Sequence, residues 1–282
     1  MRLGELVAKG ARRFGAISDS ARLDAELLAC HVLECPRSAL YSDPERELDA
    51  QQCQQVWRLF DRRADGEPIA YLLGEQEFWS LGLRVDVNVL IPRPATESLV
   101  EHALSLSLPD AAQVIDLGTG SGAIALALAS ERPAWRMLAI DISAAALLVA
   151  HDNVVRHALQ QRVLLLQSHW LDAIADRSAD LVVANPPYID PDDDHLRQGD
   201  VRFEPRGALV SEQCGLAAIG EIVARAERVL RPGGQLLIEH GHDQAQAVIA
   251  LAHDAGLQNV AGYQDLAGTP RYVAAQRGKD LD

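Results

Sequence analysis

A glycine-rich turn with the composition of a ligand site reads Asp116-Leu-Gly118-Thr119-Gly120-Ser121-Gly122 and follows a strand-like apolar run. An apolar helical stretch begins immediately after it. Glycines at such a place let backbone N–H groups approach a ligand at the helix N-terminus. Asp141 ends the next strand-like run, and its carboxylate can accept the hydrogens of two ribose hydroxyls. These residues predict a site for a ribose-containing cofactor.

Two cofactor classes fit this turn. Gly118, Gly120 and Ala123 satisfy the dinucleotide pattern G-x-G-x-x-A, and Asp141 stands at about the spacing of its ribose-binding acid. A nicotinamide-dependent oxidoreductase and a methyltransferase that uses S-adenosylmethionine would both place an acid there. A tight turn with a helix cap is the purely structural alternative.

A second turn, Asn185-Pro186-Pro187-Tyr188, follows the apolar run Leu181–Ala184. The carboxyl end of a strand is where open α/β sheets bind ligands. The Asn185 side-chain oxygen and the Pro186 carbonyl can each accept one N–H of a planar NH2 group and so fix its nitrogen. The prolines stiffen the turn, and Tyr188 can pack its ring on a flat substrate. A hydride transferase has no evident use for this turn, so it favours methyl transfer to nitrogen.

Strand-like runs alternate with Ala- and Leu-rich helical stretches in the C-terminal two-thirds of the chain. The runs are Val114–Leu117, Met137–Ile140, Val163–Leu166, Leu181–Ala184 and Gln235–Ile238. This alternation predicts an α/β fold, a Rossmann-like parallel sheet with helices on both faces. The terminal residues Arg277–Asp282 are expected to form a frayed tail.

Helical periodicity extends from Leu3 to about Ala64 and predicts at least three helices. Ser20 and Asp49 are candidate N-caps, and Gln52 completes a capping box with Asp49. One helix face is expected to consist of Leu23, Leu27, Leu28 and His31.

The period changes between Gly66 and Pro94, where the short extended run Leu81–Val87 indicates a connector with a β-hairpin. The resulting division is an N-terminal helical domain at 1–73, a linker with a β-hairpin at 74–94 and a cofactor-binding domain at 95–282.

The bulk composition argues against several function classes. The 282 residues carry a formal net charge of −14, whereas a nucleic-acid-binding enzyme usually presents a basic footprint. No run reaches the ~18 apolar residues of a membrane span. The four cysteines form no C-x-x-C pair, and His240 and His242 lack further ligands at metal spacing. We expect reduced thiols, a cytoplasmic location, no membrane association, no direct nucleic-acid partner and no metal.

With these motifs the chain resembles the class I S-adenosylmethionine-dependent methyltransferases, and more closely the HemK/PrmC family of peptide chain release factor glutamine methyltransferases. The resemblance covers nearly the whole chain. Its matching stretches are Gly66–Tyr71, Glu77–Trp79, Ile91–Pro94 with Glu97, Asp116–Gly122, Asn185–Asp190, Gly199–Pro205 and Glu239–Gly241. The Asn-Pro-Pro-Tyr turn alone is shared with adenine and ribosomal-protein glutamine methyltransferases, so the flanking motifs make the resemblance specific.

The resemblance implies methyl transfer from S-adenosylmethionine to the side-chain amide nitrogen of the glutamine in the Gly-Gly-Gln loop of class I peptide chain release factors. By position, Gly118–Gly122 and Asp141 hold the cofactor and Trp170 lies at its adenine end. Asn185 serves both ligands, the turn Asn185–Tyr188 binds the glutamine, and Asn185, Pro186 and Tyr188 are the implied catalytic residues. The N-terminal helices would recognise the body of the release factor.

Two positions depart from the family pattern. Ala95 stands where the family commonly has an acid, and His169 stands where an Asp commonly precedes the tryptophan. The alternatives that remain open are a ribosomal-protein glutamine or nucleic-acid adenine methyltransferase, a non-catalytic cofactor-binding adaptor, and a nicotinamide-dependent oxidoreductase.

Overall fold

The chain folds into two compact units. The first comprises Met1–Glu75 together with Asp194–Phe203, and the second comprises Gln76–Asp193 together with the chain from Glu204 onward. The computed structural model describes residues 1–279, so the part of the expected tail at 280–282 lies outside the described residues. Arg277 is not frayed, because its guanidinium donates to the Leu230 carbonyl at 2.6 Å.

Five helices build the first unit, as the helical periodicity of the N-terminal region predicts. They are α1 (Leu3–Phe14), α2 (Ala21–Leu33), α3 (Ser38–Ser42), α4 (Ala50–Ala64) and α5 (Ile69–Leu73). Phe14 and Phe60 meet edge to face in the core, with ring centroids 5.3 Å apart. Gly10 lets α1 approach α4 closely, since a Cβ there would collide with the Phe60 ring.

The two predicted helix caps differ in outcome. The Asp49 capping box is confirmed, because Gln52 N donates to Asp49 Oδ1 at 2.8 Å and Asp49 N donates to Gln52 Oε1 at 3.2 Å. Ser20 precedes α2 but makes no side-chain cap. Its hydroxyl donates instead to Asp24 Oδ1 at 2.8 Å.

The predicted apolar face of α2 is correct only in part, since Leu28 is buried and Leu27 is half-buried. Leu23 and His31 are exposed, whereas the acidic residues Asp24 and Glu26 are buried. Burial of an acid requires partners. Asp24 accepts from Arg63 Nε at 2.9 Å, and Glu26 accepts hydrogen bonds from three side chains, those of Arg22, Arg37 and Tyr41.

Arg63 connects several parts of the first unit from a buried position. Besides Asp24, its guanidinium donates to the Glu67 carbonyl at 3.0 Å and to Asp200 Oδ1 at 3.2 Å. Arg202 adds a bond to the Asp65 carbonyl at 2.5 Å. The segment Asp194–Phe203 is therefore attached to the end of α4 by charge-assisted hydrogen bonds.

The second unit begins with the expected hairpin. Strands β1 (Glu75–Phe78) and β2 (Leu81–Arg84) pair across Trp79 and Ser80, whose φ angles of 52° and 59° make the tight turn. The helix α6 (Pro94–Ser105) follows, and Pro94 occupies its first turn, where the missing N–H is not needed.

A seven-stranded sheet forms the centre of this unit. Its strands are β3 (Gln113–Leu117), β4 (Arg136–Asp141), β5 (Val163–Gln167), β6 (Ala179–Ala184), β7 (Leu230–Glu239), β8 (Gln258–Gln264) and β9 (Pro270–Gln276). The strand order is β5-β4-β3-β6-β7-β9-β8, with β3 to β7 parallel. The five predicted parallel strands and the α/β Rossmann-like fold are confirmed.

Helices cover both faces of the sheet, as predicted. They are α7 (Ala123–Glu131), α8 (Ala144–Arg156), α9 (Ala217–Val229) and α10 (Ala245–Asp254). Alternate strand residues enter two separate cores: Val114 packs with α6 and α7, whereas Ile115 packs with α9. Side chains of successive strand residues point to opposite faces, so strands buried on both faces need continuous apolar runs.

Two antiparallel strands at the edge were not predicted. β9 pairs with β7, and β8 pairs with β9. Gln258–Gln264 is mostly polar and exposed, so it lacks the apolar run by which the inner strands are found. Such an edge strand follows from pairing with β9 rather than from its own sequence.

The role of Arg63 can be tested by Arg63→Met, which keeps a long apolar stem but removes the guanidinium. Asp24 would remain buried without its cation, and we expect a loss of about 3 kcal/mol in the free energy of unfolding, measured with urea. Arg58→Met, at an exposed position of the same helix, should change it by less than about 0.5 kcal/mol. Equal effects of the two substitutions would contradict the structural role of Arg63.

Candidate functional site

The site lies where the order of the sheet reverses. β3 has β4 on one side and β6 on the other, and Leu117 is in register with both Ile140 and Ala184. The residues that follow these three strand ends are therefore neighbours. This switch point is the usual ligand position of an open α/β sheet, and it brings together Gly118, Asp141 and Asn185.

The glycine turn adopts backbone angles that favour glycine. The φ angles of Gly118, Gly120 and Gly122 are 66°, 55° and 84°. Asp141 holds this turn, since its Oδ2 accepts from Gly120 N and its Oδ1 accepts from Ser143 N, each at 2.9 Å. The backbone N–H of Ile142 adds a third interaction. A carboxylate offers about four acceptor positions, so Asp141 retains acceptor capacity.

Asp116 stabilises the same turn from inside the protein. Its Oδ2 accepts from Thr119 Oγ1 at 2.6 Å and from Ala125 N at 3.2 Å. Burial raises the pKa of Asp116 to about 6, although both hydrogen bonds oppose the shift. Thr119 and Asp116 thus fix the start of α7 and the turn before it.

A cavity of about 330 Å³ opens beside the turn, within the range of small-molecule sites. Six residues that the sequence analysis assigned to the site line this cavity, namely Gly118, Gly120, Asp141, Trp170, Asn185 and Pro187. A Cβ at Gly118 would lie 3.4 Å from the Trp170 ring, an ordinary van der Waals contact, so it is the φ of 66° that favours glycine here. The ring forms one apolar wall of the cavity.

Sequence analysis missed part of this lining. The further residues include Asn88, Val89, Leu90, Ile142, Ser143, Ala146, Pro205, Gly207 and Ala208. Ile142 is 64% exposed although it is aliphatic, and its place directly after Asp141 is a signal that could have identified it. The other segments carry no comparable signal, because they are loops brought to the cavity by the tertiary fold.

A smaller cavity of about 50 Å³ adjoins the other side of the glycine turn. Thr119, Ser121 and Asn185 line it together with Phe78, Arg93 and Thr96. Gly122 lines neither cavity. A Cβ at Gly122 would lie 3.2 Å from Leu126 Cδ1, so this glycine serves the packing at the start of α7.

The Asn185 side chain is oriented by a short series of hydrogen bonds. Asn185 Nδ2 donates to Thr96 Oγ1 at 3.1 Å, and Thr96 Oγ1 donates to Glu239 Oε2 at 2.7 Å. Tyr188 donates its hydroxyl to Glu239 Oε1 at 3.3 Å. Asn185 therefore directs its amide nitrogen toward α6 and its carbonyl oxygen to the opposite side.

The remainder of the turn is held through its backbone. Gln244 Nε2 donates to the Tyr188 carbonyl at 3.0 Å, and Gly215 packs against the same carbonyl. Pro187 lines the larger cavity, whereas Pro186 is buried and lines neither cavity. Tyr188 also lines neither, and its hydroxyl is engaged with Glu239.

The buried carboxyl of Glu239 is strongly perturbed. Burial raises its pKa to about 7, against the hydrogen bond from Thr96, the charge of Arg271 and the bond from Tyr188. Burial and the neighbouring Glu239 charge together raise the pKa of Tyr188, so this phenol stays protonated at neutral pH. The sequence analysis did not predict the hydrogen bond between Tyr188 and Glu239.

Three residues singled out in the sequence have structural partners. Glu97 Oε1 accepts from Trp79 N at 2.8 Å and so supports the hairpin turn. Glu204 is buried, pairs with Arg93 and accepts from Ile91 N at 3.4 Å. His169 lines the larger cavity and lies 3.6 Å from the carboxylate of Asp172.

Residues 1–279 contain neither a metal-binding cluster nor a membrane-spanning helix. No group of three or more His, Cys, Asp or Glu side chains in this range is arranged to hold a metal ion. No helix in the described part of the chain has the length and apolar character to cross a membrane.

The raised pKa of Glu239 predicts a pH-dependent stability difference between the wild type and Glu239→Gln. Its pKa in the folded protein, about 7, lies above the ordinary value of 4.5, so the folded protein binds this proton more tightly than the unfolded chain does. The stability that the proton contributes is therefore fully present below pH 4.5 and is lost as the pH rises through 7. Measured by urea unfolding from pH 5 to 8.5, the stability of Glu239→Gln relative to wild type should increase with pH. The exposed Glu101→Gln should show no such trend, and a constant difference for Glu239→Gln would refute the shift.

Two family models match the chain. Residues 5–74 match the PrmC N-terminal domain, and residues 94–200 match the methyltransferase small domain. The second range contains the glycine turn, Asp141, Trp170 and the Asn185–Tyr188 turn.

One solved structure supports the fold. A methyltransferase from Pyrococcus furiosus superposes with a TM-score of 0.54 at 15% identity, over 77% of this chain and 97% of that chain. At this identity the likeness concerns the fold alone.

Curated relatives extend over nearly the whole chain. The release factor glutamine methyltransferase of Shewanella oneidensis is 46% identical over 92% of this chain and 90% of its own length. The protein of the same name from Vibrio cholerae is 47% identical over 92% of this chain and 91% of its own length. By this identity and coverage, the chain belongs to the release factor glutamine methyltransferase family.

Proposed function

We propose that this enzyme transfers a methyl group from S-adenosylmethionine to the side-chain amide nitrogen of the glutamine in the Gly-Gly-Gln loop of class I peptide chain release factors. The observation that carries the proposal is the Asn185 side chain. Its carbonyl is turned away from Thr96, beside the glycine turn and the cavity. Membership of the family supports the same reaction.

The residues around the larger cavity fit S-adenosylmethionine. Asp141 has unused lone pairs for ribose hydroxyls. Trp170 and Ile142 offer apolar surface to an adenine ring. Asn185 lines both cavities and so can meet both the cofactor and the substrate. The backbone of Gly118–Gly122, with Thr119 and Ser121, would hold the remainder of the molecule.

S-adenosylmethionine supplies a methyl group on a cationic sulfur that becomes a neutral thioether after transfer. An amide nitrogen is a weak nucleophile because its lone pair is delocalised. Asn185 Oδ1 and the Pro186 carbonyl would each accept one N–H of the glutamine, which concentrates electron density on nitrogen and fixes its orientation. The amide nitrogen carries a positive charge once it has accepted the methyl group, which makes its N–H strongly acidic. Its proton can then leave to water after the transfer, so no strong base is required. Pro187 would border the flat amide. Tyr188 lines neither cavity and binds Glu239, so its ring would reach the amide only if the substrate enters beyond the two cavities.

We assign recognition of the release factor to the N-terminal helical region at 1–73, with 74–94 as linker and 95–282 as the methyl-transfer domain. The match of residues 5–74 to the PrmC N-terminal domain supports this division. The enzyme would act in the cytoplasm, without a metal and without direct contact to nucleic acid.

Other substrates and roles are distinguishable. A ribosomal-protein glutamine would use the same turn, and an adenine would require binding of nucleic acid, which the net charge of −14 disfavours. A non-catalytic adaptor would bind S-adenosylhomocysteine without methyl transfer. An oxidoreductase would instead bind a nicotinamide dinucleotide.

The direct test incubates the purified protein with labelled S-adenosylmethionine and an unmethylated class I release factor. Peptide mass spectrometry should locate one added methyl on the glutamine of the Gly-Gly-Gln loop. Cofactor binding with no transfer to that peptide would reject the proposed substrate and direct the search to ribosomal proteins and adenine.

Asn185→Ala removes the side-chain acceptor of the turn. We expect it to lower kcat by about 100-fold or more, since an aligned acceptor for the reacting group is lost. Affinity for S-adenosylhomocysteine, measured by calorimetry, should fall much less. A variant with comparable turnover would refute the role of Asn185.

Asp141→Asn tests the cofactor site. One carboxylate oxygen becomes an NH2 group, which cannot accept a ribose hydroxyl and opposes the N–H of Gly120 or Ser143. Affinity for S-adenosylhomocysteine should fall by about tenfold or more. The exposed Asp152→Asn provides the control, and equal affinities for the two variants would exclude Asp141 from the site.

A further inference from the structure

The two possible orientations of the Asn185 side-chain amide differ in what they can bind. The carbonyl oxygen and the NH2 group of Asn185 have nearly the same shape, and a rotation of 180° exchanges them. Only one orientation presents an acceptor to a glutamine N–H. Packing alone distinguishes the two poorly, so hydrogen-bond partners must select between them.

The partners of Asn185 permit one orientation. Thr96 and Glu239 are both buried, with exposed fractions of 4% and 1%. An ionised carboxylate only accepts, so the single hydroxyl hydrogen of Thr96 is directed to Glu239 Oε2 at 2.7 Å. The Thr96 oxygen can then only accept from Asn185, which donates Nδ2 at 3.1 Å. The rotated amide would place two oxygens together with no hydrogen between them.

Other contacts favour the ionised form of Glu239, which predominates above its pKa of about 7. Tyr188 donates its hydroxyl to Oε1 at 3.3 Å, and the positive charge of Arg271 attracts the carboxylate. Asp265 accepts from Arg271 Nε at 3.3 Å, which restrains the cation. The carboxylate therefore receives one hydroxyl on each oxygen.

We propose that Thr96 and Glu239 are positioning residues that fix the Asn185 amide with its carbonyl toward the substrate and thereby make the site select a glutamine amide over a glutamate carboxylate. The proposal rests on the proposed function. A glutamine offers two N–H donors to Asn185 Oδ1 and the Pro186 carbonyl. A glutamate carboxylate would place its oxygens against those same acceptors and be rejected.

The main test compares Thr96→Val, which has a similar shape without the hydroxyl, with Thr96→Ser, which keeps it. The substrate is a class I release factor, and the probe is the same factor with glutamate in place of the Gly-Gly-Gln glutamine. Assays at pH 8.5 keep Glu239 ionised, since its pKa is about 7. The measured quantities are kcat, the KM for the release factor, the Ki of the glutamate form and the affinity for S-adenosylhomocysteine.

Thr96→Val should lower kcat about tenfold, the worth of one ordered hydrogen bond. It should also bring the Ki of the glutamate form about tenfold closer to the KM of the glutamine form. Affinity for S-adenosylhomocysteine should stay within about twofold, and Thr96→Ser should stay within about threefold of wild type in every quantity. A loss of packing alone would lower kcat without bringing the Ki of the glutamate form closer to the KM of the glutamine form.

Glu239→Gln provides a second and independent variant. Its carboxamide would present an oxygen to Tyr188 and an NH2 to Thr96, so the Thr96 hydroxyl could donate to Asn185 Oδ1 and favour the rotated amide. This variant should show the same lower kcat and narrower discrimination at pH 8.5, the end of the pH range at which its stability relative to wild type is greatest. Effects of Thr96→Val and Glu239→Gln should combine less than additively.

The outcomes separate the two proposals. A wild-type protein that does not methylate the release factor would reject the proposed function. An active wild type whose Thr96→Val and Glu239→Gln variants retain both kcat and discrimination against glutamate would overturn the positioning role alone.

Discussion

The parallel pairing of β3 with β4 on one side and β6 on the other is the constraint on which the site depends. It places the residues after Leu117, Ile140 and Ala184 side by side at the carboxyl ends of these strands. Residues far apart in sequence thereby form one cavity, and the hydrogen bond from Gly120 N to Asp141 connects the glycine turn to the end of β4. Apolar burial on both sheet faces holds the register, so the site inherits its precision from the core.

Buried acids are handled differently in the two units. Asp24 and Glu26 in the helical unit are neutralised by arginines; burial alone would raise the pKa of Glu26, but the hydrogen bonds from Arg37, Tyr41 and Arg22 outweigh it and the pKa is lowered. Asp116 and Asp141 near the sheet edge receive mainly backbone N–H and hydroxyl donors, and burial raises the pKa of each. Because their donors are neutral, these two acids have no cationic partner of their own, which suits the positively charged cofactor proposed above.

The sequence predicted what local pattern encodes. Apolar runs identified the five parallel strands, and the Asp49–Gln52 spacing identified a capping box that the structure confirms. It failed where a residue's environment is set by distant partners. The predicted face of α2 failed at Leu23 and His31, because Arg63 and Arg37 permit buried acids on this helix. The polar β8 was missed because β9 supplies its pairing. Thr96 and Glu239 carry no signal beyond their motifs, since their role appears only when α6 and β7 meet at Asn185.

The first turn of α6 shows why those motifs have their spacing. Pro94 begins the helix. The two residues that follow Ala95 have different hydrogen-bond partners. Thr96 orients the amide of Asn185, whereas Glu97 accepts from Trp79 N in the hairpin turn. Arg93, immediately before the helix, pairs with Glu204. One rigid helix start therefore joins the hairpin, the loop before Arg206 and the candidate catalytic amide. Ala95 lies between these contacts, and an acid there is required by none of them.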